Sequence, residues 1–515
     1  MNTPADRRIL AQSRLVAASR AGLPTAGNGG YTVYLVVLVV GIVVVPIVRS
    51  VVLGLAGPEV LATISSRESY RSVGAIAAIL TGGALLLGRT RGAVLPRPFL
   101  TEFLVGSGLA RSDTLRRPFS ISVTVLVLAA VTASGIAVGA RLVGGSTDAI
   151  PGALFMFGSI AFSSMLTVVW LIGQSCPRHA TIPLALVILG SAVGLGLGVG
   201  VDIVLLATPW GWLALLWESL GPVAPIPWGP VIALAASPLA LLAVPALLNN
   251  LHGPDLMEQS RRWQSIGTLV QTGDVAGASG ALRAPPRRGR YSRISFTGPL
   301  PIAILQRDLG SARRFPGRTA LGSLALVVAG WLTAQTASAA NGVEWVTALA
   351  GVLLAYLAAG VWCDGLRNAT ENVGPSSLYG RNALAMIGSH AILPGLACLL
   401  LGSIGAGVAV AVGAPIGVVP WWMLTSIFIV LVRILDCAKG PMPIGLLLPI
   451  VTPAGDLSIL NVIAWQSDTL IIVLTIAGGL SVLFSNAGPD AALGLIAGIG
   501  MMAALAGRRI RALGT

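Results

Sequence analysis

Residues 120–140 of the chain read SISVTVLVLAAVTASGIAVGA, an apolar stretch without a single charged residue. Arg116, Arg117 and Pro118 come just before it, and Arg141 follows it directly. About 20 predominantly apolar residues are enough for a helix to cross the hydrocarbon core of a bilayer. Because lipid offers no hydrogen-bonding partner to an open backbone, the stretch is predicted to be a transmembrane α-helix.

Twelve stretches of this kind run through the chain. They lie at residues 31–56, 73–88, 120–140, 151–173, 182–207, 229–248, 319–339, 346–363, 383–412, 421–437, 469–484 and 491–506. Only 10% of the 515 residues are charged, whereas soluble domains carry roughly 25%. The composition therefore excludes a soluble protein and leaves no room for a large catalytic domain. We predict an all-α, polytopic membrane protein with about 12 transmembrane helices.

The basic residues indicate the orientation of these spans. With a cytoplasmic N-terminus, 28 of the 33 basic residues fall on the cytoplasmic side and four on the other. Positive residues concentrate in cytoplasmic loops, so both termini are predicted to be cytoplasmic. A basic face against anionic headgroups accounts for the net charge of +14, and we expect the lipid bilayer, not nucleic acid, as its partner.

The expected organisation follows from this topology. It comprises a cytoplasmic N-terminal segment 1–30, a six-span half 31–249, a cytoplasmic connecting loop 250–318, a six-span half 319–507 and a cytoplasmic tail 508–515. Within the connecting loop, residues 255–271 have helix-compatible composition, Asp274 can cap a second short helix, and residues 285–290 form an extended basic linker.

Two cytoplasmic segments, 97–118 and 300–318, share a pattern that suggests a parallel internal repeat. Each is an amphipathic stretch that ends in a cluster of arginines and a proline and runs directly into a span. Parallel repeats place a pseudo-two-fold axis along the membrane normal. The alternative is that any cytoplasmic entrance to a span collects arginine and proline.

Ionisable residues inside a membrane point to function by default. Arg433 and Asp436 are three residues apart in the predicted span 421–437, so they share a helix face and can pair. Asp202, near the outer end of the span 182–207, is a candidate cavity residue. The alternatives are a snorkelling, mutually neutralised pair for the first two residues and exposure at the membrane interface for Asp202.

Tryptophans cluster at the predicted outer ends of spans. Residues 209–217 carry three of them and are predicted to form an interfacial or re-entrant segment. Trp228, Trp345, Trp421 and Trp422 also fall at outer span ends. Because indole prefers the headgroup boundary, all of these are expected to be interfacial anchors; the alternative is that they contact a substrate.

Catalytic motifs are missing from the sequence. There is no HExxH, GxSxG or pair of neighbouring histidines, and the four cysteines show no CxxC spacing. A P-loop requires a lysine within GxxxxGK[ST], and the only lysine, Lys439, is followed by glycine. We therefore expect no enzyme active site, no bound metal and no cofactor on this chain.

The segments around 111–118 and 306–318, the turn at 272–274 leading into the linker 285–290, and the twelve-span pattern together resemble the large actinobacterial-type permease subunits of ABC exporters. This resemblance implies a transport subunit of the bacterial cytoplasmic membrane that works by alternating access. It also implies a separate cytoplasmic P-loop ATPase, in two copies, that binds ATP and Mg²⁺. The expected substrate is an amphipathic or hydrophobic molecule.

By the same resemblance, the amphipathic segments would dock on the ATPase. The candidate coupling residues are Glu102, Arg111, Asp113, Arg116 and Arg117 in one segment and Arg307, Asp308, Arg313 and Arg314 in the other. Mixed charge lets such a helix lie at the membrane surface and present ion pairs to a soluble partner. The alternative role for these residues is anchoring to headgroups.

Two other functions stay open. One is a partner-independent secondary transporter that uses the Arg433–Asp436 pair for ion coupling. The other is a lipid-linked transferase that uses Glu59 or Glu68 in the first outer loop.

Overall fold

The computed structural model describes residues 40–66, 69–106, 109–221, 225–271, 298–339, 344–373, 382–440, 442–448, 451–452, 455–456 and 458–513, and the single positions Gln12, Tyr34, Val37 and Leu38. The second short helix expected at Asp274 and the basic linker 285–290 lie outside the described residues. So does the N-terminal segment 1–30, apart from Gln12.

Within these residues the chain is almost entirely helical. Up to residue 271 the α-helices are α1 (Val45–Leu55), α2 (Pro58–Ile64), α3 (Ser69–Leu87), α4 (Pro98–Gly106), α5 (Arg111–Thr114), α6 (Arg116–Val143), α7 (Ala149–Ser175), α8 (Arg178–Leu197), α9 (Val201–Ala207), α10 (Pro209–Glu218), α11 (Trp228–Ala236), α12 (Val244–Asn249) and α13 (Gly253–Gln271). A π-helical turn, Val40–Val44, leads into α1, and a 3₁₀ segment, Ser237–Ala243, joins α11 to α12.

The helices from residue 298 onward are α14 (Leu300–Arg313), α15 (Pro316–Gln335), α16 (Glu344–Ala359), α17 (Asp364–Glu371), α18 (Ala383–His390), α19 (Ile392–Ala411), α20 (Val418–Cys437), α21 (Ser458–Ile472), α22 (Gly479–Ala487) and α23 (Ala491–Leu513). A π-helical segment, Val473–Gly478, joins α21 to α22. The strand content of this part is one antiparallel pair, β1 (Val451–Thr452) with β2 (Gly455–Asp456).

The predicted fold class is confirmed. Ten of the described helices are long and apolar enough to cross a membrane, and the number rises to thirteen if each of three bent helix pairs is one span. Apart from the stretch 182–207, the predicted stretches coincide with these helices as far as the structure describes them. The C-terminal residues 508–513, expected to form a separate tail, continue α23 to Leu513.

The structure corrects the prediction for residues 182–207, which are not one continuous helix. Helix α8 ends at Leu197, and a new helix, α9, begins at Val201. Gly198 and Gly200 between them have φ angles of 74° and 63°, in the left-handed region that breaks a right-handed helix. Helices α9 and α10 then meet at 102°, a bend found in broken spans and in re-entrant segments.

The described residues divide into two compact units, one ending at Thr268 and one that includes the described residues from 298 onward. In the first unit, α7 is the central span and contacts α3, α6, α10, α11 and α12. Its core includes Phe155, Phe162 and Leu166 of α7, packed among side chains of α3, α8 and α10. Helix α6, in contrast to α7, has few buried residues: only 11% of its most apolar 18-residue stretch is buried.

In the second unit, α20 occupies the central position and contacts α15, α16, α19, α21 and α23. Helices α15 and α19 cross in close contact. A Cβ atom on Gly330 would lie 2.0 Å from the Gly402 carbonyl oxygen, and one on Gly405 would lie 1.9 Å from the Val327 carbonyl oxygen. Lipid is as apolar as a leucine side chain, so close packing of small residues drives this association.

The expectation that the tryptophans are interfacial anchors is wrong for four of them. Trp210 and Trp217 are buried in the core of the first unit, and Trp421 and Trp422 are buried in the core of the second. The Trp422 indole donates to the Cys398 carbonyl oxygen at 3.0 Å, and the Trp421 indole donates to Ser481 at 3.1 Å. These protein acceptors replace the headgroups. Trp228 and Trp345 are exposed, as an anchor would be.

Candidate functional site

A buried arginine lies near the C-terminal end of span α20. Arg433 is 8% exposed, and its Nη1 atom lies 3.1 Å from Oδ2 of Asp436, one turn further along the helix. A buried guanidinium has five donors to satisfy, and Asp436 accepts from one side only. The remaining partners come from a different helix.

Helix α16 supplies these partners through Tyr356. The Arg433 Nε atom donates to the Tyr356 carbonyl oxygen at 3.0 Å, Nη2 donates to the same oxygen, and Cζ lies 3.5 Å from the centroid of the Tyr356 ring. Gly360, one turn later, makes room for the guanidinium, because a Cβ atom there would lie 2.8 Å from Nη2. Helix α16 therefore provides a carbonyl, an aromatic face and a gap at one place.

Helix α21 completes the network. The Thr469 hydroxyl donates to Oδ1 of Asp436 at 3.3 Å and lies 2.9 Å from the Tyr356 hydroxyl, which is therefore the donor to Thr469. On the preceding residue, Oδ1 of Asp468 lies 2.5 Å from Nζ of Lys439, whose ammonium group also lies 4.4 Å from the ring of Trp465. The only lysine of the chain is thus part of this network.

We call this set the Arg433 cluster, and its members are Tyr356, Arg433, Asp436, Lys439, Asp468 and Thr469. It contains two cations and two carboxylates, so its formal charge is zero. Buried charges in a membrane protein pair with one another and mark solute or ion pathways. The cluster joins three spans: charged hydrogen bonds link α20 to α16 and to α21, and a hydroxyl–hydroxyl contact links α16 to α21.

A second buried ionic contact holds the amphipathic helix α14. Oδ2 of Asp308 lies 2.6 Å from Nδ1 of His390, the last residue of α18, and both side chains are at most 5% exposed. The Asp308 carboxylate also lies against the backbone of Gly365 in α17, where a Cβ atom would lie 2.3 Å from Oδ1. Asp308 therefore joins α14 to both α17 and α18.

The burial of Asp308 changes its expected role. A carboxylate enclosed by His390 and Gly365 cannot form an ion pair with a soluble partner. Its neighbours on the same helix, Arg307 and Arg313, are exposed, and Arg314 is half-buried. Next to this contact, Arg318 binds both carboxylate oxygens of Asp364, at 2.5 and 3.1 Å.

In the first unit, helix α13 is fixed to the loop that follows α3. Side chains of α13 donate to three carbonyl oxygens of this loop: Gln259 to Arg89 at 3.1 Å, Trp263 to Thr90 at 2.8 Å and Ser260 to Pro96 at 2.8 Å. The Ser260 hydroxyl also lies 3.0 Å from that of Thr101 in α4. Arg261 of α13 and Glu102 of α4 are mostly exposed, and Nη2 of Arg261 lies 4.0 Å from Oε2 of Glu102.

The other candidates of the segment 97–118 are divided between structural and exposed positions. Arg111 donates to the Leu251 carbonyl oxygen, and the adjacent Ser112 amide donates to Asn249 at 2.9 Å, so α5 is bound to the end of α12. Asp113 is half-buried, whereas Arg116 and Arg117 are exposed. Asp202 is exposed in the first turn of α9, a position that agrees with the interfacial alternative.

Sequence reasoning missed His390, Tyr356 and Asp468. Each is distant in sequence from its partner, by 82 residues for Asp308 and His390 and 77 for Tyr356 and Arg433. Spacing rules apply only within one helix.

In the part of the chain that the structure describes, no three His, Cys, Asp or Glu side chains are grouped so that they could bind a metal ion.

Comparison of the chain with protein-family models, with curated proteins and with solved structures finds no match.

Proposed function

We propose that the chain is the permease subunit of an ABC-type exporter, driven by a separate cytoplasmic ATPase that binds ATP and Mg²⁺, in two copies. One observation carries the proposal: helix α14 is attached on one face and charged on the other. Ile304 and Asp308 are buried, whereas Arg307 and Arg313 are exposed. A helix built in this way can receive force from a soluble partner and pass it to the spans.

The contacts of α14 support this transmission. The Asp308–His390 pair at 2.6 Å joins the helix to α18, which runs into α19. The contact with Gly365 joins it to α17, where Arg318 of α15 pairs with Asp364. A displacement of α14 therefore acts on the ends of two spans, α15 and α19. In an alternating-access cycle, such displacements open the solute path on one side and close it on the other.

The first unit offers a comparable surface. Helix α13 is fixed to the loop 88–97 by three hydrogen bonds from side chains to backbone, and Arg261 of α13 and Glu102 of α4 are exposed. Exposed charges of both signs set the rate and register of protein association. We propose that this surface also contacts the ATPase, and that the transported substrate is amphipathic or hydrophobic.

The experiment that tests the proposal is charge reversal on the exposed face of α14. The double variant Arg307→Glu/Arg313→Glu is expected to insert and fold normally. It should no longer bind the ATPase and should therefore lose ATP-driven transport. The matched control is Arg508→Glu/Arg511→Glu, since both arginines are also exposed and predicted to be cytoplasmic but lie outside α14. Normal ATP-driven transport by the double variant would refute docking at α14.

A second candidate function is a secondary transporter that needs no partner, and the Arg433 cluster favours it. Asp436 and Asp468 are carboxylates held among spans, each is partly exposed, and each is paired with a cation. In this function, gradient-driven flux continues without ATP and is lost in Asp436→Asn. If the chain is instead an exporter subunit, the unmodified protein shows no transport in the absence of ATP.

A further inference from the structure

A groove runs between the start of helix α14 and helix α18. One wall consists of residues 299–301, and the other is formed by Leu384, Ala385, Gly388 and Ile392. Its volume is about 640 Å³, which lies within the range of about 300–1,000 Å³ that small ligands occupy in proteins. The groove is open at Gly388, where a Cβ atom would meet no atom within 4 Å.

The surface of the groove is almost entirely apolar. Of the described residues that line it, only Ser389 has a polar side chain, and its hydroxyl donates to the Ala385 carbonyl oxygen at 2.7 Å. Pro299 and Pro301 on the other wall have no backbone N–H. A polar ligand would lose its hydrogen bonds to water here and gain few in return, so the groove favours an apolar chain.

The two walls are held together by the buried ionic contact between α14 and α18. Oδ2 of Asp308 lies 2.6 Å from Nδ1 of His390, the residue after Ser389. Ile304, one turn before Asp308, is also buried. The groove is therefore already formed in the chain alone.

The wall formed by α18 continues along the span α19. Leu384, Gly388 and Ile392 are four residues apart, and the same spacing continues with Leu396, Leu400 and Ile404. Side chains four apart form one ridge on a helix. The last three are exposed, and exposed apolar side chains of a span face lipid. The groove is thus the end of a lipid-facing ridge, at the place where α14 lies beside it.

The groove lies at the depth where the acyl chain of a phospholipid begins. Helices α18 and α19 together comprise 29 residues, Ala383–Ala411, and are about 44 Å long, whereas the hydrocarbon core is about 30 Å thick. With the span centred, about five residues at each end extend beyond the core. The first turn of α18 then lies among the headgroups, and Gly388 and Ile392 lie at the start of the hydrocarbon. On α14, Ile302 and Leu309 are exposed and seven residues apart, as in a helix that lies in this interface.

We infer that the groove binds one acyl chain of a phospholipid from the leaflet on the predicted cytoplasmic side. The chain begins beside the first turn of α18, passes over Gly388 and continues along Leu396 and Leu400. Each methylene group that is buried strengthens binding about fourfold. The basic residues predicted on this side of the membrane favour an anionic headgroup. This inference does not depend on the proposed function.

The test uses the purified full-length chain, freed of lipid in a steroid-based detergent, which has no acyl chain to compete for the groove. A phosphatidylglycerol with two oleoyl chains is titrated in, and native mass spectrometry counts the lipids bound at each concentration. Glycerophosphoglycerol, the same headgroup without chains, tests for headgroup recognition. The variant Gly388→Leu fills the groove. Its control, Gly407→Leu, adds the same side chain at an exposed position of α19 that also has open space.

The unmodified chain and Gly407→Leu are expected to bind one phosphatidylglycerol more tightly than any further lipid, and glycerophosphoglycerol should not compete with it. In Gly388→Leu this tightest binding should weaken about tenfold or more, because the leucine displaces at least two methylene groups of the chain. Leu384→Gln should also weaken it, because it makes the wall polar at an exposed position and needs no extra space inside the protein.

Four results would overturn the inference. The first is that Gly388→Leu binds the lipid as tightly as the unmodified chain, and the second is that Gly407→Leu loses the lipid to the same extent as Gly388→Leu. The third is competition by glycerophosphoglycerol, which would make this a headgroup site. The fourth is a Gly388→Leu protein that keeps the lipid but loses transport, since the groove would then hold the transported molecule. If Gly388→Leu does not fold, undiminished binding by Leu384→Gln refutes the inference by itself.

Discussion

The Arg433–Asp436 pair predicts a strongly non-additive mutant cycle. Arg433 is buried, lies 3.1 Å from Asp436 and donates twice to the Tyr356 carbonyl oxygen. Removing one partner of a buried ion pair costs about 3–5 kcal/mol, because the other charge is left uncompensated. Asp436→Leu strands the Arg433 cation and should therefore lie in this range. It corresponds to a fall of roughly 100- to 4,000-fold in the ratio of folded to unfolded protein.

Arg433→Met strands Asp436 instead, and here the structure predicts a smaller loss. Asp436 is partly exposed and keeps its hydrogen bond from Thr469, so about 2–3 kcal/mol is expected. In Arg433→Met/Asp436→Leu no charge is stranded, and replacing a buried pair by apolar groups is often nearly neutral. We expect the double variant to be more stable than Asp436→Leu alone.

The assay is reversible unfolding of the purified chain in mixed micelles with increasing sodium dodecyl sulfate, followed by circular dichroism. Four proteins are compared: the unmodified chain, the two single variants and the double variant. An interaction free energy of about 2 kcal/mol or more is expected from the cycle. Additive losses, or an Asp436→Leu variant as stable as the unmodified chain, would refute the account of Arg433 as a buried charge that depends on Asp436.

Two further predictions concern close backbone contacts, and the same unfolding assay measures both. Gly405→Ala should destabilise the chain by about 1–3 kcal/mol or more, because its Cβ atom would lie 1.9 Å from a carbonyl oxygen of α15, whereas Gly395→Ala on the same helix has open space and should be neutral. Gly365→Ala should push Asp308 out of its site and lower stability, whereas Gly388→Ala in α18 meets no atom within 4 Å. Equal effects within either pair would contradict the helix contacts described.

The positions of the spans could be predicted from the sequence because each one is a long apolar stretch. Such a stretch has only one stable form in lipid, a helix with its backbone groups paired internally. The Arg433–Asp436 contact could also be predicted from the sequence, since residues three apart on a helix are neighbours. These inferences need only local sequence.

What the sequence could not provide are contacts between helices. Nothing near Asp308 indicates that His390, 82 residues later, is its partner. The buried tryptophans show the same limit. Their positions at span ends suggested headgroup contact, but Trp422 donates to the carbonyl oxygen of Cys398 in α19. An indole at a span end needs an apolar surface and a hydrogen-bond acceptor. A neighbouring helix can supply these two features just as lipid can.

The helix break at residues 198–200 is indicated in the sequence by closely spaced glycines, but the hydropathy pattern there still predicts a continuous span. Residues 194–200 read GLGLGVG, which is apolar enough to continue a span. Glycine also adopts positive φ without a steric penalty, and Gly198 and Gly200 both do so. Dense glycine therefore has two outcomes, a break here and a close helix crossing at Gly402 and Gly405. Only the packing around each site decides between them.

We propose that this membrane protein is driven by an ATPase on another chain, and the decisive experiment is purification of the tagged chain from native membranes. The measurement is the mass and composition of the intact complex in mild detergent. We predict a co-purifying P-loop ATPase in two copies, which is lost when Arg307 and Arg313 are both changed to glutamate and kept in Arg508→Glu/Arg511→Glu. A chain that purifies without any P-loop protein, yet carries out gradient-driven transport alone, would contradict the claim.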